Sequence, residues 1–272
     1  MKISPQNSKI NALLNLLEDE DNHVSALAME QLLLLDNCAD AVVREFQESS
    51  SPILRNRIHQ LDNMLTLRRR RRSFITKAKS GNLSLFEGLA LINYQFNPRV
   101  GADAMRRRFE DICRQAPNFS TSTQLAKYFH KDGFSLHSEN YLASDLYLID
   151  EVLEHRYGAP VILCCLAKCL ADHCSWPVSI ILYKGRHCLL DKKRNLVETW
   201  DSWRVTKLPD DEPVCHCSKP DIWLSVLSQL FLAALQEGQI QAVYRVSSIL
   251  AEFCGSNFDS MPYPLGQTTT GE

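Results

Sequence analysis

The sequence predicts an α+β fold that is mostly helical: a helical-repeat N-terminal region, a core with a short antiparallel sheet, and a closing C-terminal helix pair. Three observations carry this. Apolar residues recur at helical spacing through most of the first 174 positions. The period then changes to two over residues 176–203. A helical period returns over residues 221–253.

The first elements repeat. The stretch "LLNLLEDEDNHVSALAMEQLLLL" (13–35) lies over "VVREFQESSSPILRNRIHQLDNML" (42–65) at an offset of 29 residues. Leu13 then meets Val42, Leu14 meets Val43, Leu17 meets Phe46, Val24 meets Ile53, Met29 meets Ile58, Leu32 meets Leu61 and Leu35 meets Met64. Polar breaks fall at "EDEDN" and "ESSSP", so residues 1–66 read as two stacked helix pairs. A helix pair cannot bury its apolar face alone and must stack on a neighbour. This part resembles HEAT-type repeats in two copies. Residues 67–81 follow as a basic linker or helix, with Arg68, Arg69, Arg70, Arg71 and Arg72 in a row. The run is a candidate phosphate-contacting patch. The reading preferred here is a solvated face that balances the acidic repeats, since no aromatic residues interleave for base stacking.

From residue 82 the chain reads as one core to 218. Amphipathic helices are expected over 84–96, 101–115, 122–132 and 144–156. A fifth starts at Pro160, where proline suits a first helical turn, and runs to about Cys174. Strands are expected over 176–184, 186–191 and 195–203, joined by the turns "KG" and "DKKRN". A helix pair over 219–255 closes the core, and residues 256–272 read as a flexible tail.

Composition narrows the function classes. The 272 residues are 45% apolar and 23% charged, with a formal net charge of -2, so no bulk field draws the chain to nucleic acid or membrane. The longest apolar run, "APVILCCLA", is too short to span a bilayer. The opening "MKISPQNSK" has no apolar signal core, so the ten cysteines are expected as free thiols in a cytoplasmic protein.

The candidate chemistry lies in "YLIDEVLEHRYGAPVILCCLAKCLADHCSWPVSIILYKGRHCLLD" and Asp201 beyond it. A helix with a possible thiol, then strands with His187 and Asp201, is the order of a papain-like or transglutaminase-like core. That chemistry needs a thiol at a helix N-terminus, a histidine base beside it and a carboxylate that orients the imidazole. The stretch resembles the transglutaminase-like core of a bacterial family carrying the SirB invasion-regulator label, over roughly residues 82–255. Arg156, Gly158 and Pro160 are its strongest structural matches. The "WLSVLSQLFLAALQEGQIQAVYRVSSILAEF" pair resembles the tetratricopeptide-like tail of that family.

The resemblance puts His187 at the base position and Asp201 at the orienting carboxylate. It puts Pro160, which has no nucleophile, where active relatives carry cysteine, and Ile162 where the family has serine. Cys164 lies four residues beyond Pro160, on nearly the same helix face but about 6 Å deeper. It is the candidate stand-in nucleophile, set against a core role shared with Cys165 and Cys169. Cys215, His216 and Cys217 stand together, but no second pair completes a zinc set, so neither metal nor cofactor is expected. Three functions follow in order: a non-catalytic interaction or regulatory module for a protein partner, a thiol hydrolase or acyltransferase using Cys164, His187 and Asp201, and nucleic-acid binding through Arg68–Arg72.

Overall fold

A computed structural model describes residues 5–35, 37–98, 100–136 and 142–255. The expected flexible tail at 256–272 lies outside the described residues. The chain divides into two compact units, Met1–Arg72 and Ser73–Glu272.

The first unit holds α1 (Pro5–Leu17), α2 (Asn22–Leu34), α3 (Asn37–Phe46) and most of α4 (Pro52–Lys79). Its core joins Leu13 and Leu17 of α1, Met29 and Leu32 of α2, Val42 of α3, and Ile58 and Leu61 of α4. The repeat pairs Leu13/Val42, Met29/Ile58 and Leu32/Leu61 are thus buried together, whereas Ile53 and Met64 face solvent. Asp21 starts α2 by accepting the His23 N–H at 2.7 Å. Residues 67–79 are the last turns of α4, so the arginine run is helical. Arg68 donates to the Leu33 carbonyl in the last turn of α2 at 3.1 Å, a favourable place for a cation. Arg69 pairs with Asp40 in the first turn of α3. Arg70, Arg71 and Arg72 have interactions of their own, so none of the five is a free charge.

The second unit opens with α5 (Leu85–Phe96), started by a reciprocal Ser84–Glu87 capping box. Then come α6 (Ala102–Gln115) and α7 (Ser122–Lys131), the latter capped by Thr121. The expected helix over 144–156 is two pieces. A 3-10 turn (Ser144–Tyr147) precedes α8 (Ile149–His155), because Leu148 between them is extended. Ser144 is held there by its N–H and hydroxyl, both donating to the Glu237 carboxylate at 2.7 Å. The helix α9 (Pro160–His173) follows.

Five antiparallel strands come next: β1 (Val178–Tyr183), β2 (Arg186–Asp191), β3 (Asn195–Glu198), β4 (Arg204–Lys207) and β5 (Cys215–His216). Their order in the sheet is β4-β3-β2-β1-β5. The strand expected over 195–203 ends at Glu198. The chain turns there through Ser202 and Trp203, both at positive φ, and re-enters the sheet as β4. β4 and β5 have four and two residues, too few to show a period of two. Ile180, Leu189, Val197 and Val205 pair in one cross-strand row and belong to the main core, where α9 packs. Ile181, Cys188, Leu190, Leu196 and Leu208 form a smaller cluster on the reverse face.

The helices α10 (Lys219–Gln236) and α11 (Ile240–Cys254) close the unit as an antiparallel pair turning at Gly238, which needs φ +69. Trp223 of α10 is 1% exposed, donates to the Leu85 carbonyl at 3.4 Å and meets Phe74 edge-on at 6.1 Å. It lies against Gly88, where a Cβ would come within 2.3 Å of indole Cε2 and Nε1. Gly88→Ala is therefore expected to lower the unfolding free energy by about 1–3 kcal/mol through overpacking. Gly101→Ser, with nothing within 4 Å, is expected to stay within about 0.5 kcal/mol. Urea denaturation of both variants against the parent chain checks the contrast.

Candidate functional site

The segment before α9 is fixed by backbone contacts on both sides. Arg156 ends α8 in the left-handed region at φ 65 and donates to the Leu153 carbonyl at 2.6 Å. Its guanidinium lies 4.7 Å from the Phe134 ring centroid and 3.5 Å from Asp132. Tyr157 bridges to Ser135, and the Gly158 and Ala159 N–H groups donate to the Ser135 and Leu146 carbonyls at 3.0 and 2.8 Å. A Cβ on Gly158 would stand 2.8 Å from Val152 and 3.3 Å from Leu163, so any side chain there would force its neighbours to shift. Arg156, Gly158 and Pro160 together set where α9 begins.

That beginning opens on a cleft of ≈ 450 Å³. Pro160 and Val161 form its floor. One wall is the sheet, with His187 at the start of β2, Leu182 of β1, and Cys215 and Cys217 at β5. The opposite wall is α10, which presents Asp221, Ser225 and Gln229 at four-residue spacing. Tyr147 reaches Gln229 at 3.5 Å from the third side. The fold therefore brings His187 and the first turn of α9 into one cleft, and the residue on that turn is proline.

His187 is partly buried, and burial alone pushes its pKa below the ordinary value, so the imidazole is neutral at pH 7. Among the described residues the imidazole has no hydrogen-bond or ion-pair partner. Asp201 stands elsewhere. Its carboxylate pairs with Arg204 at 3.0 Å in the turn after β3, and it does not line the cleft. Arg204 also holds Glu198, at 2.9 Å.

Cys164 is fully buried, and its Sγ lies 3.9 Å from the Thr199 hydroxyl. Desolvation, then the neighbouring Cys188 thiol, pushes its pKa well above the ordinary cysteine value, the opposite of an activated thiolate. Cys165 is equally buried and pushed the same way. Cys188, on the reverse face of the sheet, is raised to about 12. Cys169 is partly buried against the main core. The basic patch Arg68–Arg72 belongs to the other unit.

Two features were absent from the sequence reading. The Asp221–Ser225–Gln229 stripe was legible as a polar i, i+4, i+8 series on an otherwise apolar helix. The cleft position of Cys215 and Cys217 was not, because it depends on a two-residue strand pairing with β1.

No curated protein and no solved structure matches the chain. Residues 99–198 match a family model described as "Transglutaminase-like superfamily". The matched span holds Pro160, Cys164 and His187 and ends before Asp201 and β5. The chain therefore carries a transglutaminase-like domain over residues 99–198, with the cleft at the start of α9 as its candidate site.

Proposed function

We propose that this domain is a non-catalytic interaction or regulatory module whose cleft takes a segment of a protein partner. One observation carries the reading: the helix start that faces His187 bears Pro160, which has no nucleophilic atom. The buried, protonated state of Cys164 and the Arg204 pairing of Asp201 support it further. The cleft keeps a wall of polar side chains suited to hydrogen-bonding an extended main chain. The two helix pairs of Met1–Arg72 and the α10–α11 pair, read as HEAT-like and tetratricopeptide-like, would add partner surface. On this reading, as the SirB-type resemblance implies, the chain would work in a bacterial cytoplasm. A thiol hydrolase built on Cys164 would need that residue exposed and ionised. Nucleic-acid binding through Arg68–Arg72 would need those cations free of their partners.

Thiol alkylation of the folded chain, read residue by residue by mass spectrometry, tests the assignment. Cys164, Cys165 and Cys188 are expected to stay unlabelled from pH 6 to 9 and to label only on unfolding, while exposed Cys215 and Cys254 label quickly. Fast labelling of Cys164 that persists at acid pH and slows in His187→Ala would instead establish the thiol enzyme.

The converse experiment restores the missing atom. Pro160→Cys is expected to place a thiol in the first turn of α9, beside His187, with a pKa below about 7.5. Its alkylation should slow in the Pro160→Cys/His187→Ala double variant. An ordinary pKa, unchanged by His187→Ala, would mean that the cleft lacks transglutaminase-like geometry.

A further inference from the structure

The second cluster of nucleophilic groups in the cleft is the pair on β5. The β5 strand ends the sheet and pairs with β1 through Leu182↔Cys215 and Ile181↔His216. The Cys217 N–H then donates to the Ile180 carbonyl at 3.0 Å. The backbones of Cys215 and Cys217 therefore both turn toward β1, and their side chains leave by the same face. It is the face of Leu182 and, one strand further, of His187. Both cysteines line the cleft, Cys215 exposed and Cys217 partly buried. Burial, then the neighbouring Cys215 thiol and the Asp221 carboxylate, pushes the Cys217 pKa up.

Residues two apart on a strand stand about 6.6 Å apart. A disulfide needs Cβ atoms within about 4.5 Å, so the pair cannot close one without tearing β5 from β1. A metal held between two sulfurs asks for less. With bonds of about 2.3 Å, the sulfurs sit about 4.6 Å apart, reached by leaning each side chain inward. Among the described residues no group of three ligating side chains stands together, so the four-coordinate set that zinc prefers is not offered. A soft ion that accepts two thiolates is the better match.

We propose that Cys215 and Cys217 form a two-thiolate site for a thiophilic cation of the Cu(I) class at the mouth of the cleft. Each thiol gives up its proton to solvent, two S–Cu bonds form, and copper stays in the +1 state. The inference does not depend on whether the domain is catalytic.

The fully reduced full-length chain would be titrated with Cu(I) against the chromophoric chelator bicinchoninate, with circular dichroism confirming the fold of each variant. One equivalent is expected to move from the chelator to the protein. Cys215→Ser and Cys217→Ser are each expected to abolish this transfer, whereas Cys38→Ser/Cys254→Ser retains it. If Cys217→Ser disturbs the fold, the exposed Cys215→Ser decides the matter. Transfer that survives in Cys215→Ser, or no transfer to the parent chain, would overturn the assignment. Equally tight uptake of Zn(II) at the same two residues would overturn the two-coordinate description.

Discussion

The packing of α9 against the inner face of the sheet is the constraint on which the rest of the second unit depends. Ile162, Leu163, Cys164, Ala167 and Leu170 are all fully buried in a main core that takes Ile180, Leu189 and Val197 from three adjacent strands. Interiors of this density tolerate little change in volume, so the helix cannot slide along the sheet. With α9 fixed in this way, its N-terminus must emerge beside the start of β2, and Pro160 must share a cleft with His187. The three cysteines of "VILCCLAKCL" are read most simply in that light: two are fully buried and the third packs at the margin, each a small side chain between a helix and its neighbours.

A second group of contacts sets the direction in which the helix start points. The Ser135 and Leu146 carbonyls receive the N–H groups just before α9, and Glu237 anchors Ser144 from the α10–α11 turn. Trp203, in the turn after β3, donates to the Phe134 carbonyl at 2.7 Å and stacks on Phe129 at 4.7 Å. These bonds run between α7, the 3-10 turn, the sheet and the C-terminal pair. They fix the turn that holds Asp201: Trp203 commits the turn to the core, and Arg204 takes the carboxylate.

Long elements were legible in the sequence because their periodicity is strong. Pro160 at the start of α9, Ser84 before α5 and the α10–α11 pair were all marked by capping residues or apolar spacing. The break at Leu148 was not, because Ser144 is held by Glu237, 93 residues away, and no local signal records that. The site was legible in part. His187 and Pro160 lie in one cleft, as the family resemblance implied. Asp201 was a reasonable candidate by chain order, but its partner was decided by a tight turn with two residues at positive φ, which pattern cannot foresee. The thiols of β5 were visible as a Cys-x-Cys cluster, and only strand pairing shows which way they face.

Pro160 and the neutral His187 are two sides of one physical fact. In a thiol enzyme the thiolate and the imidazolium stabilise each other, and both charges survive partial burial because they are paired. Pro160 supplies no anion at this helix start. A charged imidazole would then stand alone in a half-buried position with no carboxylate behind it, and desolvation would oppose its protonation with nothing to offset the cost. The cleft accordingly holds a histidine whose burial favours its neutral form, while Asp201 pairs with Arg204. A proline at this helix start and a neutral His187 are therefore compatible with each other. What persists is the shape of the cleft, because α9 and the sheet maintain it whether or not a reaction takes place there.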